Sequence, residues 1–469
     1  MSERLAIRSR PRHRYPPSPW LVVFAGAAAL VQFSVALAAA RRPGEALVIV
    51  AATATLVAAV AFPRIVLVVS LLATMFPQRV GPEALNLSVT DAVGLLGLVA
   101  ALRFVPWHDR RLRLVYGALV IYLGCIAVSL IAHHPQRAVL ELFHRGVLFG
   151  GAVLIGVALV RSGSSRLALR VFALATAVVS IAAIVSTVTN GFEPAFVFDL
   201  QKNHAGVLVA TGFLVVYVGA HQIAWSPRVT NSLRVLTLLG LAATQSRAAA
   251  LGLVAAIAIR PLLLGRRGAV ARVSTGIVVV CVALVALSAV SVNANDLSRP
   301  ADEQKFNSIN SRTSAYEQAI GEVWAKNRIV GGGLRYFRTP GGGYVTPHNL
   351  VVGEMAEAGL IGLFGLLVLL TATALALRRS VGDLAVLGMM ALVLRVTQGL
   401  ADIFWVAGPL TAPLILVGMG VADRRAEPRQ GWNRKGRVAS ASIAAGGDSP
   451  VSTSRVPSAE GVPGEGRQW

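Results

Sequence analysis

Acidic residues are scarce in this chain. Only 22 Asp and Glu stand against 44 Lys and Arg in 469 residues, and all charged residues together make up 14%. A soluble domain of this size carries about 25% charge. With 55% apolar residues and a mean hydropathy of +0.65, the shortage of charge excludes a soluble globular protein and points to a multispanning membrane protein. Cysteine is also rare. Cys125 and Cys281 both sit in apolar runs, which excludes a disulfide framework and a thiolate metal site and leaves them as small core residues. No Walker A pattern and no His/Asp/Glu cluster with ligand spacing occurs, so neither a cofactor nor a metal is expected.

What is present is a succession of apolar runs from Trp20 to Val421. Several are shorter than the ~17 residues that a simple crossing needs, so about 12–14 transmembrane helices are expected, some of them tilted, re-entrant or fused. The fold class is all-α and polytopic, with one large extracytoplasmic loop containing short helices. Residues 1–19 form a basic cytoplasmic N-terminus and 20–292 transmembrane helices; 293–349 form the large loop, 350–421 C-terminal transmembrane helices, and 422–469 a disordered cytoplasmic tail. The segment before Trp20 has no small-residue cleavage pattern after the first run, which is read as a retained span.

Orientation follows from the basic residues of the short loops. Arg64, Arg103, Arg110, Arg111, Arg161, Arg166, Arg170 and Arg260 share the side of the N-terminus, while the opposite short loops are poor in Arg and Lys. The positive-inside rule then puts both termini in the cytoplasm and the 293–349 loop outside. The net charge of +22 is topological and calls for no nucleic-acid partner, although the tail suits anionic membrane lipids.

Four polar groups converge on the outer face: Lys202-Asn203-His204, Gln245-Ser246-Arg247, Arg312, and His348-Asn349 at the close of the loop. Arg at a span end is usually a snorkelling anchor, yet Arg247 lies on the Arg-poor side among small residues that allow close helix approach. Arg312 opens a segment whose apolar positions Ala315, Tyr316, Ala319, Ile320, Val323 and Trp324 predict an amphipathic helix. His348 follows Pro347 at the mouth of a long apolar span. A neutral imidazole accepts a proton near pH 7, and guanidinium forks suit a phosphate-bearing leaving group. Arg395 and Asp402 are read as a structural pair, and Glu357 as a residue that caps or orients. The glycine triplets Gly331–Gly333 and Gly341–Gly343 fit either a mobile lid or a close backbone approach.

Ser246-Arg247, Ser311-Arg312 followed by Trp324, Val330-Gly331-Gly332-Gly333 with Phe337, and His348-Asn349 followed by Glu357-Ala358-Gly359-Leu360-Ile361-Gly362 resemble the O-antigen ligase and polymerase superfamily. The resemblance runs from about Lys202 to Gly362. It implies an integral-membrane glycosyltransferase of cell-surface polysaccharide assembly in the bacterial cytoplasmic membrane. Such an enzyme moves a glycan from an undecaprenyl-pyrophosphate donor to an acceptor hydroxyl on a glycan, lipid or protein, without metal or nucleotide. It further implies His348 as catalytic base and Arg247 and Arg312 as pyrophosphate ligands, with Lys202, Asn203, His204 and Asn349 as donor contacts. The competing readings are a transporter or lipid-linked glycan flippase, which would place its polar groups at the midplane, and a non-catalytic assembly protein.

Overall fold

The computed structural model describes residues 57, 59–78, 88–133, 136–198, 200–264, 314–338, 346–405 and 411–423. Arg312, Gly341–Gly343, the span expected at Val273–Val292, the N-terminus and the tail beyond Asp423 lie outside them. The regular elements among the described residues are helices, beside an isolated bridge between Val197 and Leu200. In chain order the helices are α1 (Pro63–Ala73), α2 (Val89–Leu102), α3 (Arg110–His133), α4 (Gln136–Gly146), α5 (Ala152–Arg161), α6 (Ser165–Thr189), α7 (Lys202–Val218), α8 (Ala220–Ile223), α9 (Pro227–Thr244), α10 (Arg247–Leu263), α11 (Leu350–Arg378), α12 (Asp383–Gly399) and α13 (Ala412–Ala422). Four stretches are long and apolar enough to cross a membrane: α3, Val139–Arg161, α6 and α11. The protein is an all-α polytopic membrane protein.

Side chains are arranged for lipid and not for water. On α6 the large apolar residues Leu174, Val178, Ile181, Val185 and Val188 point outward, while the buried face carries Ala173, Thr176, Ala177, Ser180 and Ala183. Lipid tails are as apolar as Leu, so helices gain most by presenting small residues to one another. A Cβ placed on Gly240 of α9 would lie 2.4 Å from Ser180 Cβ, and one on Gly418 of α13 would lie 2.1 Å from the Val153 carbonyl oxygen of α5. Glycine at these crossings is therefore a packing requirement.

Two boundaries differ from the expectation. The span expected at Gly146–Val160 begins earlier, because α4 runs through a π-helical segment, Val147–Gly151, straight into α5. Glu141 and Arg145 interrupt the apolar run there and hide its start. Of the span expected at Phe404–Val421, Ala412–Ala422 is helical, whereas Phe404 and Trp405 lie in a bend, turned inward and buried; residues 406–410 lie outside the described residues.

The described part of the large loop is tied to α11. The expected amphipathic helix is helical from Ser314, its first described residue, and passes into a π-helix, Gln318–Trp324; together they bury the row Ala315, Ala319 and Val323 while Ile320 is 42% exposed. After it, the chain docks into a break in α11 at Gly359, where φ is +68°. Leu360 N–H donates to the Arg328 carbonyl and Ile361 N–H to that of Ile329, while Gly332 and Gly333 N–H donate to the carbonyls of Ala356 and Glu357. The loop thus takes up backbone groups that the break leaves without helical partners. A Cβ on Gly331 would lie 2.6 Å from the Glu357 carbonyl carbon. Of the two roles open to this triplet, the structure shows close backbone approach.

Candidate functional site

Three chain segments meet at His348. Its backbone precedes α11, whose first turn is capped by Asn349: the side-chain Oδ1 accepts from Val351 N–H at 2.9 Å and Val352 N–H at 3.2 Å. Asn349 Nδ2 donates to the Leu400 carbonyl at 2.8 Å, which ties this turn to the end of α12. Tyr316, from the loop helix, donates its hydroxyl to the His348 carbonyl at 3.1 Å. With the backbone held on both sides, the imidazole is directed at Asp402, and Nδ1 lies 3.0 Å from Asp402 Oδ1.

Asp402 is buried in the turn after α12 and also accepts from the Ile403 N–H at 2.8 Å. Burial by itself raises its carboxyl. The hydrogen bonds from His348 and Ile403 and the charges of His348 and Arg395 outweigh burial and hold it below its ordinary value. An ionised carboxylate only accepts hydrogen bonds, so the proton between them sits on His348 Nδ1, and in a neutral imidazole with that tautomer Nε2 is the acceptor. The imidazole is 35% exposed, enough to meet a substrate. His348 as placed can accept a proton.

The expected pairing of Arg395 with Asp402 is not what forms. Arg395 is fully buried and donates to Gln398 Oε1 at 3.0 Å and to the carbonyls of Ile403 and Phe404, with its guanidinium carbon 4.2 Å from the Phe404 ring centre. It braces the turn that carries Asp402, and it reaches Asp402 by field alone.

The first turn of α7 approaches the same turn. His204 lies within electrostatic range of Asp402 and Arg395. Its neighbour Asn203 accepts from Ser246 Oγ at 3.1 Å, and Ser246 caps α10 through Ala249 N–H. Gly206 lets α7 and α10 close to this distance, since an added Cβ would lie 2.5 Å from Ser246 Cβ. Arg247, the first residue of α10, is exposed beside that contact, and Lys202 is exposed at the start of α7. His348, His204, Asn203 and Arg247 are therefore linked through Asp402 and Ser246. Arg312 lies outside the described residues.

Sequence reading missed a second group. Arg145, 3% exposed, bonds Glu141 Oε1 at 3.2 Å, Glu354 Oε2 at 2.9 Å and Glu357. Tyr122 adds its hydroxyl to Glu354 at 3.1 Å, Trp405 donates to Glu354 at 3.3 Å and stacks on Tyr122, and Arg335 of the loop donates to Glu141 at 2.8 Å. The charges border a small cleft of about 40 Å³, whose wall also contains Pro347 and Asn349, the chain neighbours of His348. The available signal was Glu141 and Arg145 inside an apolar run, since ionisable residues in a span are expensive unless paired. No metal-binding cluster of His, Cys, Asp or Glu occurs among the described residues.

Residues 233–367 match the family model described as O-antigen ligase. This stretch holds Arg247, Arg312, His348, Asn349, Glu354 and Glu357, and it leaves out Asn203, His204, Asp402 and Arg145. A comparison with curated proteins gives no match. Over this stretch, the integral membrane protein is similar to the O-antigen ligase family.

Proposed function

We propose that the protein is a glycosyltransferase of cell-surface polysaccharide assembly in the bacterial cytoplasmic membrane, acting on the extracytoplasmic face, with both termini in the cytoplasm. Its donor is a glycan on undecaprenyl pyrophosphate and its acceptor a hydroxyl group. The acceptor oxygen bonds to the anomeric carbon on the face opposite the pyrophosphate, and the anomeric C–O bond to pyrophosphate breaks. The hydroxyl proton passes to His348 Nε2, and the bonding pair leaves with undecaprenyl pyrophosphate. Arg247 and Arg312 hold the departing pyrophosphate, where guanidinium groups neutralise the growing charge. Lys202, Asn203, His204 and Asn349 are donor contacts. The donor is already activated, so the reaction has no metal or nucleotide step.

The observation that carries this reading is the His348–Asp402 pair: a part-exposed imidazole whose Nδ1 is held at 3.0 Å by a buried carboxylate, with His348 inside the stretch that matches the O-antigen ligase model. Reconstitution of the full chain with undecaprenyl-pyrophosphate glycan and candidate acceptors, without nucleotide or metal, tests it. Wild type is expected to transfer, and His348→Ala, Arg247→Ala and Arg312→Ala to lose transfer. Unchanged transfer in all three variants sinks the site. Movement of the intact lipid-linked glycan between leaflets, with no transfer, would favour a flippase.

A further inference from the structure

We propose that the corner between α7 and α8, ringed by Arg166, Arg170, Arg234 and Arg260, binds the phosphate headgroup of an anionic phospholipid at the end of α7 away from His348. The inference is separate from the transfer reading and concerns a cluster that the reaction leaves unused.

Four guanidinium groups attach to one short stretch of chain. Arg166 Nε donates to the Gln222 carbonyl at 3.0 Å, and Arg170 Nε donates to that of Ile223 at 2.7 Å, with a longer bond from Nη2 to Ala224 at 3.4 Å. From α9, Arg234 Nε and Nη2 donate to the carbonyls of Val216 and Tyr217 at 3.1 and 3.3 Å. Arg260 of α10 lies over the Tyr217 ring, its guanidinium carbon 4.6 Å from the centre, and Arg234 stands 5.6 Å from the same centre. The last carbonyls of a helix attract cations, which accounts for arginine here. It does not account for four of them.

The cluster has no counter-charge among the described residues. Carbonyls or a ring hold each of these arginines, and none of them enters an ion pair there. A guanidinium carries five N–H donors. Arg166 uses only Nε, and Arg260 makes no hydrogen bond among the described residues, its Nε being buried without a partner. Unmet buried donors are costly, and like charges held close together repel. An oxyanion among the four groups offsets both, and guanidinium forks suit phosphate oxygens.

What flanks the charge selects the source of that phosphate. Leu167, Val235 and Leu262 are 56%, 58% and 64% exposed and stand within two residues of Arg166, Arg234 and Arg260. A soluble phosphate or an acidic protein would meet bare hydrocarbon around the anion site. A phospholipid lays its acyl chains on these residues and its phosphate among the arginines, as basic pockets between spans hold anionic headgroups. Lys202, Asn203 and His204 occupy the first turn of α7, about 25 Å away along the helix. A headgroup at the last turn therefore steadies the same helix from its other end.

Arg260 offers a probe because its loss breaks no described hydrogen bond, and Arg166 because it gives up one. The full chain is placed in nanodiscs of phosphatidylcholine, of phosphatidylcholine with phosphatidylglycerol, and of phosphatidylcholine with inorganic phosphate in the buffer. Unfolding midpoints and native mass spectrometry are the readouts. Wild type should melt highest with phosphatidylglycerol and retain that lipid. In Arg166→Gln/Arg260→Gln the gain should vanish and retention weaken roughly tenfold. Arg260→Gln alone should lose part of the gain, and it serves where the double variant does not fold. Arg378→Gln/Arg379→Gln, which removes two exposed charges at the end of α11 away from His348, should keep both gain and retention. The assignment is overturned by no lipid-dependent gain in wild type, by a gain kept in the Arg166/Arg260 variants, by an equal loss in the Arg378/Arg379 control, or by a full gain from inorganic phosphate. Both faces of a nanodisc carry the same lipids, so the outcome does not depend on which face is cytoplasmic.

Discussion

His348 Nδ1 and Asp402 Oδ1 lie 3.0 Å apart although 54 residues separate them in the chain. Each is placed by a different helix end, α11 for the imidazole and α12 for the carboxylate. If Asp402 fixes the tautomer, then Asp402→Asn lowers kcat for transfer about 10–100-fold with little change in donor KM, and His348→Ala lowers it about 10²–10⁴-fold. The double variant should be no slower than His348→Ala alone, because the two groups act as a unit. Steady-state transfer kinetics decide the matter, and losses that simply multiply would show that Asp402 acts elsewhere.

Arg145 is the counter-charge to two buried carboxylates, Glu141 and Glu354, and to the part-buried Glu357. Arg145→Ala leaves Glu141, Glu354 and Glu357 facing one another, and breaking a buried pair from one side costs roughly 3–5 kcal/mol. Arg145→Lys should restore little of this, since a point charge cannot reproduce a guanidinium fork that meets all three. Thermal unfolding of the purified protein in one detergent provides the comparison. A Lys variant as stable as wild type would show that charge alone matters here.

Two glycines of α11 should answer substitution in opposite ways. Gly359 has φ +68°, and its added Cβ would stand 2.2 Å from the Ile329 carbonyl oxygen, so Gly359→Ala should destabilise by at least about 1–3 kcal/mol. Gly353 sits in an open helical position, where Ala is better than Gly by roughly 0.5–1 kcal/mol. Melting temperatures should move down for the first and up for the second, and a shared sign would contradict the break and its docked loop.

Asp423 links pH to stability at the far end of α12. Its Oδ2 accepts from the Leu384 and Ala385 N–H groups at 3.0 and 3.2 Å. Burial raises the carboxyl above its ordinary 3.8, and the backbone donors and Arg111 only partly offset this. The unfolded chain therefore releases this proton at lower pH than the folded chain does. Stability falls as pH rises through the ordinary value and levels off above the raised one. Asp423→Asn removes that slope while keeping an acceptor oxygen. Relative to wild type, the variant should gain stability as pH rises past the ordinary carboxyl value, read as unfolding midpoints at fixed salt, and a constant difference would refute the linkage.

The fold class was legible because a bilayer demands long apolar helices and tolerates little charge, and both marks survive in composition alone. Helix ends were less so. Glu141 and Arg145 hide the start of a span, since their cost is met by Glu354, Glu357 and Arg335, which stand about 200 residues further along the chain. Asp402 was misassigned to Arg395 because sequence spacing offers the nearest opposite charge. In the structure Gln398 and the carbonyls of Ile403 and Phe404 take up the two terminal nitrogens of that guanidinium, and the carboxylate pairs with His348. Among the described site residues, the residue types were readable, whereas partners depended on how α7, α10, α11 and α12 cross.

The loop bonded into the break of α11 carries a consequence for chimeras. Residues 328–333 and 356–361 exchange backbone hydrogen bonds, so they behave as two halves of one joint. A loop transplanted from a relative to alter acceptor choice would arrive without its matching half, and the host helix would meet foreign spacing at Gly359. Grafts that move both halves together should assemble, and grafts of the loop alone should not. Over evolutionary time, insertions would be confined to parts of the loop away from this joint.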